Sequence, residues 1–155
     1  MVIYSVYWLK EEVARNYFHK SELLFRFFKE YENNQHRSYL KKQYHYITSE
    51  FPKEKIHFYV RKQFGMKSNL TKEREDSRID IFANNKYISL HIGEKRLKFH
   101  SESLQDAEEI LFPLLRQMHP YLFVVGNTYE NYGWISPMKN ISYPSKSKEV
   151  LYSCD

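Results

Sequence analysis

Residues 9–47 constrain the fold more than any other stretch, because their apolar residues recur at helical spacing in three successive segments. In the first segment Val13 and Tyr17 are four residues apart, which places them on one face of a helix. The second segment has the i, i+3, i+4, i+7 spacing of a buried stripe, formed by Leu24, Phe27, Phe28 and Tyr31. We therefore predict three consecutive helices, with the second packed on a core.

Two stripes run along the third segment, although a core needs only one of them. The first stripe has the spacing i, i+4, i+7 and consists of Leu40, Tyr44 and Ile47. The second stripe has the same spacing and consists of Tyr39, Gln43 and Tyr46. A tyrosine ring supplies a large apolar area with a polar tip, which is typical of recognition surfaces. The second stripe therefore indicates binding rather than chemistry.

The rest of the chain predicts mainly strands. Residues 2–8 are β-branched and aromatic on both faces, which indicates a central strand. Residues 56–61 alternate between apolar and polar, which favours another strand. Residues 65–77 are polar and charged, and we expect a mobile loop there. Three short strands then form a meander over residues 78–100, with Asn84-Asn85 in a tight hairpin turn.

The C-terminal part predicts one helix and two strands. Ser103 and Asp106 have the spacing of a capping box at the start of the helix. Pro113 lies inside the helical pattern and should kink it, because an interior proline costs about 3 kcal/mol. Strands follow at residues 121–125 and 132–135.

This order of elements predicts an α+β fold in which a mixed, mostly antiparallel sheet carries an N-terminal helical layer and one further helix. We expect a single domain over residues 1–141. Residues 142–155 offer little to pack and are expected to be a frayed tail.

Composition limits the cellular setting. The 155 residues are 42% hydrophobic with four glycines, as in an ordered globular chain. The single cysteine, Cys154, excludes an internal disulfide framework and a cysteine-based zinc site. No apolar run approaches membrane-spanning length, and the start lacks the basic region of a signal peptide. We expect a soluble cytoplasmic protein.

Catalytic and cofactor motifs are missing from the sequence. None of the seven histidines has metal-ligand spacing with another ligand residue. No GxSxG, GxxxxGK[ST] or GxGxxG motif occurs. Glu11 and Glu12 are adjacent on a predicted first helical turn, where acidic side chains offset the helix dipole. We therefore expect no enzyme, no metal and no cofactor.

Nucleic-acid binding is the alternative function. The formal charge is +5, and basic residues adjoin aromatic ones at residues 41–46 (KKQYHY) and 59–64 (YVRKQF). Such segments can neutralise phosphates and stack on bases. No helix-turn-helix, zinc-finger or RRM signature accompanies them.

Two blocks carry a resemblance to a known family. The sequences LKEEVARNYFHKSELLFRFFKEY at residues 9–31 and YGWISPMKN at residues 132–140 resemble the sporulation inhibitor of replication protein (SirA) family of endospore-forming Gram-positive bacteria. The segment QYHYIT at residues 43–48 is similar to the corresponding helix of that family. The resemblance extends in order from Tyr4 to about Asn140 and is loose in the middle of the chain.

The resemblance implies a non-enzymatic inhibitor of chromosome replication that binds the N-terminal domain I of the initiator DnaA. It also implies a contact surface on the first and third helices. Matched position by position, the family's interface residues are Val13, Tyr17, Gln43 and Tyr46. The family has Phe where this chain has Val13, so a large anchor is missing there. Core packing remains the alternative for Tyr17 and Tyr46.

Overall fold

The computed structural model describes residues 1–65, 68–73, 76–127 and 129–136. Within these ranges the strands are β1 (Val2–Trp8), β2 (Ser68–Glu73), β3 (Asp76–Ala83), β4 (Lys86–Ile92), β5 (Leu97–Ser101), β6 (Leu122–Gly126) and β7 (Tyr132–Trp134). The helices are α1 (Glu11–Tyr17), α2 (Ser21–Asn33), α3 (Ser38–Ile47), α4 (Lys53–Phe64), α5 (Leu104–Ile110) and α6 (Phe112–Met118). A 3₁₀ turn at Phe18–Lys20 joins α1 to α2. The predicted α+β fold and the three N-terminal helices are confirmed.

The strands form one sheet in the order β2-β3-β4-β5-β1-β6-β7. The described pairings are antiparallel throughout, so these strands include none of the parallel pairs that a mixed sheet would have. The predicted central position of β1 is confirmed, because β1 pairs with β5 on one side and with β6 on the other.

Alternate residues of β1 serve two different cores. Tyr4 and Val6 pack in a cluster with residues of α4, α5 and α6. Tyr7, and Leu9 just after the strand, pack in a second cluster with residues of α1, α2 and α3. Because successive side chains of a strand point to opposite faces, the sheet has helices on both sides. The expectation of one further helix beyond the N-terminal layer was wrong, since three helices cover the other face.

The strand predicted at residues 56–61 is instead part of helix α4. Ile56 and Val60 are buried there, whereas Phe58 between them is exposed. A spacing of four residues fits one face of a strand and one face of a helix equally well. Pro52, just before the helix, and Gly65, with a φ of 59° just after it, bound α4.

The mobile loop expected at residues 65–77 was also wrong. Its central part is strand β2, paired with β3 at the edge of the sheet. Polar and charged residues are common on edge strands, because they discourage pairing with other chains. Polarity alone therefore did not distinguish an edge strand from a loop.

The local signals around the hairpin and the last helices are confirmed. Asn84 and Asn85 have φ values of 51° and 61° in the β3–β4 turn. The Ser103 hydroxyl accepts a hydrogen bond from the Asp106 N–H at 3.2 Å, which caps α5. The effect of Pro113 is a break between α5 and α6, and Pro113 lies in the first turn of α6, where no N–H is required. The end of the predicted domain and the tail at residues 142–155 lie outside the described residues.

Strand β7 is held by Trp134, which is buried at 1% exposure. Its ring stacks on Phe18 with centroids 5.3 Å apart and meets Phe123 edge-on at 5.0 Å. The indole N–H donates to the Phe18 carbonyl at 3.3 Å. These contacts anchor β7 to the 3₁₀ turn before α2 and to β6.

Trp134→Ala should lower the free energy of unfolding by about 3–5 kcal/mol, the range for truncating large aromatics in cores. Trp134→Phe keeps a ring but removes the indole N–H, and it should cost less. Chemical denaturation of both variants measures this. An alanine variant that unfolds like the parent protein would show that β7 does not depend on this side chain.

His119, which follows α6, is packed against the end of β1. Its ring centroid lies 4.0 Å from that of Trp8, and Nδ1 accepts the Tyr121 N–H at 3.0 Å. Burial, followed by the charge of Lys55, lowers the pKa of His119 to about 4. In the unfolded chain the pKa of histidine is about 6.5, so the unfolded state binds more protons between these two values.

The free energy of unfolding should therefore fall as the pH drops from 6.5 towards 4. His119→Asn keeps an oxygen acceptor for the Tyr121 N–H and removes the titration. We expect the parent protein to lose stability more steeply than this variant in that window, as measured by chemical denaturation across pH. Parallel curves would mean that protonation of His119 is not coupled to folding.

Candidate partner-binding surface

The two stripes of α3 differ in exposure, and one of them is buried as the sequence predicted. The inward stripe is 4–6% exposed and consists of Leu40, Tyr44 and Ile47. In the outward stripe Tyr39 is 59% and Tyr46 60% exposed, and Gln43 is exposed between them. Core packing is thereby excluded for Tyr46, whose ring faces outward.

The orientation of α3 is fixed by Tyr44. Its ring stacks on Tyr31 of α2, with centroids 4.0 Å apart and planes within 9°. It meets the rings of Tyr7 and Phe28 edge-on at 6.1 and 6.3 Å. The Tyr44 hydroxyl donates to the Lys95 carbonyl at 3.3 Å, and burial raises the pKa of this phenol well above its usual value. Rotation of α3 about its axis would break these contacts.

The end of α3 is joined to the start of α1 by main-chain hydrogen bonds. The Lys10 N–H donates to the Ile47 carbonyl at 3.1 Å, and the Ser49 N–H donates to the Trp8 carbonyl at 2.7 Å. This junction places Lys10 Nζ 5.1 Å from the centroid of the Tyr46 ring. Such cation–π contacts contribute about 0.5–1 kcal/mol at exposed sites, so the lysine helps to orient the exposed ring.

Tyr17 lies at the other end of α1 and is 39% exposed. Seven residues separate it from Lys10, which corresponds to about 10 Å along a helix axis. A standard interface covers about 800 Å² on each partner, so both ends of α1 can fall within one contact area. Tyr17, Tyr39, Gln43 and Tyr46 are called the α1/α3 surface below.

Val13 is placed differently from the other three expected interface residues. It is 6% exposed and belongs to the core cluster shared with Tyr7 and Phe18. Val13 and Ala14 form the face of α1 that packs on the core. The Val13 side chain therefore lies beneath the α1/α3 surface and contributes little area to it.

Two further side chains at the helical layer were not singled out from the sequence. Leu23 in α2 is 49% exposed, although it adjoins the buried Leu24. Its position outside the predicted apolar stripe of α2 was the available signal. The contact of Lys10 with Tyr46 had no sequence signal, because it depends on how α1 and α3 meet.

The two basic and aromatic segments do not assemble into a base-stacking surface. In residues 41–46 the Tyr44 ring is part of the core. In residues 59–64 both Tyr59 and Phe64 pack against the core cluster on the other face of the sheet. Lys55 Nζ lies 5.9 Å from the Tyr59 centroid. The lysines and arginines are exposed, but their neighbouring rings are mostly engaged elsewhere.

Among the described side chains, no three His, Cys, Asp or Glu residues come together as a metal site requires. Within the described ranges, none of the helices combines the length and apolar character needed to cross a bilayer.

Comparison with known proteins agrees with the resemblance of the sequence. The profile of the family described as "Sporulation inhibitor of replication protein SirA" matches residues 3–139. The sporulation inhibitor of replication protein SirA of Bacillus subtilis (strain 168) is 26% identical over 147 residues, which cover 90% of this chain and 97% of that protein. The α1/α3 surface and both cores lie within the matched range, and the chain belongs to the SirA family of sporulation inhibitors of replication.

Proposed function

We propose that this protein acts in the cytoplasm as a non-enzymatic inhibitor of replication initiation that binds domain I of DnaA through its α1/α3 surface. The observation that carries the proposal is the outward stripe of α3, with two tyrosines about 60% exposed above a buried stripe. Membership of a family of replication inhibitors supports the proposal that the protein inhibits replication. DnaA itself is implied by the resemblance of residues 9–31 and 43–48 to that family.

The centre of the proposed contact is formed by Gln43 and Tyr46, which are three residues apart on one face of α3. The Tyr46 ring can exclude water, while its hydroxyl and the Gln43 amide can pair with polar groups of the partner. Lys10 holds one face of the ring, which reduces the rotamer entropy lost on binding. Val13 contributes to binding by holding α1 on the core, and not by contact with the partner.

The proposed mechanism is occlusion. A small protein that covers the domain I surface used for self-assembly or for other regulators lowers the fraction of initiator able to open the origin. This mechanism requires no chemical step and no cofactor. It requires only that the affinity of the inhibitor compete with that of the displaced partner.

A calorimetric titration against isolated DnaA domain I tests the proposal directly. We expect saturable binding with one inhibitor per domain. The control titrations use duplex and single-stranded DNA at low and high salt, because binding to phosphates weakens steeply with salt. Salt-sensitive DNA binding without domain I binding would replace the proposal with the nucleic-acid alternative.

Tyr46→Ala and Tyr17→Ala should each weaken domain I binding by about 2 kcal/mol, or roughly thirtyfold in Kd, the scale of an interface hot spot. Their free energies of unfolding should change by less than about 1 kcal/mol, because both rings are exposed. Phe58→Ala is the matched control, since Phe58 is 62% exposed on α4 at the opposite face of the sheet.

Titration and chemical denaturation of the same three variants separate the possible results. If Tyr46→Ala binds like the Phe58 control, the outward stripe is inert surface. If Tyr46→Ala unfolds the protein, the ring has a structural role. Either result contradicts the assignment of the interface.

Val13→Phe should leave domain I binding unchanged or strengthen it, because it restores the aromatic residue of the family. The larger ring exceeds the space of a side chain that is 6% exposed, so we expect a stability cost of about 1–3 kcal/mol. Affinity and unfolding free energy are measured together. Weaker binding by a variant of unchanged stability would mean that the valine itself fits the partner.

A further inference from the structure

The face of the sheet that carries α1–α3 is covered unevenly. The second core cluster draws its strand residues from β1, β6 and β7, and none of the described residues of β3, β4 or β5 belongs to it. On that side, β3–β5 present mainly polar and charged side chains, with the exposed Phe82 beside Tyr87. Arg78, His91 and Lys98 are half-buried there. A cleft of about 790 Å³ lies where this open part meets α2 and α3. It falls within the size range of small-molecule sites, about 300–1,000 Å³.

A row of basic side chains crosses the floor of the cleft. Arg78 of β3 is directly opposite His91 of β4, and His91 is directly opposite Lys98 of β5. Neighbouring strands are about 4.8 Å apart, so the row spans about 10 Å. Arg96 and Lys95, in the turn before β5, continue the positive charge along the wall.

The described residues in and beside the cleft carry charges of both signs. The described residues that line the cleft include four lysine or arginine side chains and one carboxylate, Glu94. Two more carboxylates lie close by: Asp80 is 3.2 Å from Arg78, and Glu32 is 3.9 Å from Arg96. Glu32 also accepts a hydrogen bond from the buried Tyr7 hydroxyl. Among the described residues, the four basic side chains therefore exceed the three carboxylates by one charge.

The basic side chains are held in place in different ways. The Arg78 guanidinium donates to Asp80 and to the Tyr87 hydroxyl, at 3.2 and 3.1 Å. Lys95 Nζ donates to the Thr48 carbonyl at 3.2 Å. Lys98 has no hydrogen bond or ion pair to another described residue, which leaves its ammonium available to a ligand.

The positive charges of this row also act on His100, which lies two residues after Lys98 on the same face of β5. Burial lowers the pKa of His100, and the positive charges of His91, Lys98 and Arg78 lower it further. Opposite, the wall of the cleft is aromatic, because Tyr31 and Tyr44 stack there. Positive charge and an aromatic wall are thus combined in one recess.

We infer that this cleft binds a compact polyphosphate-bearing ligand, of the class of nucleoside di- or triphosphates, with its phosphates against Arg78, His91 and Lys98. Charged hydrogen bonds from lysine and arginine suit phosphate oxygens. A half-exposed Tyr31 ring offers a surface for the rest of the ligand. This inference uses a different surface from the proposed DnaA contact and does not depend on it.

A compact ligand fits the charges better than a nucleic-acid strand does. The next row of the sheet places Asp80 opposite Ser89, so a carboxylate interrupts the positive surface just beyond Arg78. A phosphate backbone that runs along β3 from Arg78 would have to pass that charge. A short polyphosphate can remain within the cleft between Arg78 and Arg96.

Isothermal titration of the full chain with tripolyphosphate, ATP and a short oligothymidylate tests the inference. We expect saturable binding of both small polyphosphates. Tighter binding of ATP than of tripolyphosphate would identify a nucleotide as the ligand class, and equal binding would identify the polyphosphate group alone. Binding of the oligothymidylate without binding of either small probe would overturn the inference in favour of a nucleic-acid surface.

Lys98→Gln is the first variant, because this side chain supports no described contact within the protein. It should weaken polyphosphate binding about tenfold, as expected for the loss of a hydrogen bond to a charged group. Lys62→Gln is the matched control, since Lys62 is exposed on α4 and its removal changes the net charge equally. Equal effects of the two variants, or the absence of saturable binding by the parent protein, would overturn the inference.

Discussion

The packing of four aromatic rings between β1, α2 and α3 is the contact on which both surfaces depend. Tyr7 stacks on Phe28 with centroids 3.9 Å apart, and Tyr31 stacks on Tyr44 at 4.0 Å. Tyr7 and Tyr44 meet edge-on and join the two stacks. Aromatic pairs contribute about 0.5–1.5 kcal/mol beyond their buried area, so this cluster fixes the position of both helices on the sheet.

The polar ends of these rings explain why tyrosine occupies positions that phenylalanine could fill. The Tyr7 hydroxyl donates to Glu32, and burial with this nearby carboxylate raises the pKa of Tyr7 far above its usual value. The Tyr44 hydroxyl donates to the main chain at Lys95. The Tyr7 hydroxyl thus ties β1 to α2, and the Tyr44 hydroxyl ties α3 to the turn before β5. The same rings hold α3 on the core and wall the cleft.

The sequence could predict features that depend on the spacing of residues within one helix or strand. Features that depend on how helices and strands pack together could not be predicted in this way. The outward stripe of α3 followed from spacing alone, because Leu40, Tyr44 and Ile47 already supply an inward face. Helix α4 was missed because the four-residue spacing of Ile56 and Val60 is common to strands and helices. Val13 was expected at the surface by family position, yet the packing of α1 turns it inward. The basic row at Arg78 could not be anticipated, since it exists only through strand register.

The uneven cover of the sheet follows from the size of the helical layer. Seven strands about 4.8 Å apart span roughly 29 Å from the first to the last. The described strand residues of the cluster under α1–α3 lie on β1, β6 and β7. The described part of that face over β3–β5 is mainly polar, but solvation alone does not require its charges to converge on one recess. Since Tyr44 contributes to α3 and to the cleft, a change there disturbs both surfaces. Changes at Tyr46 and Lys98 act on one surface each, and so they separate the two proposed binding activities.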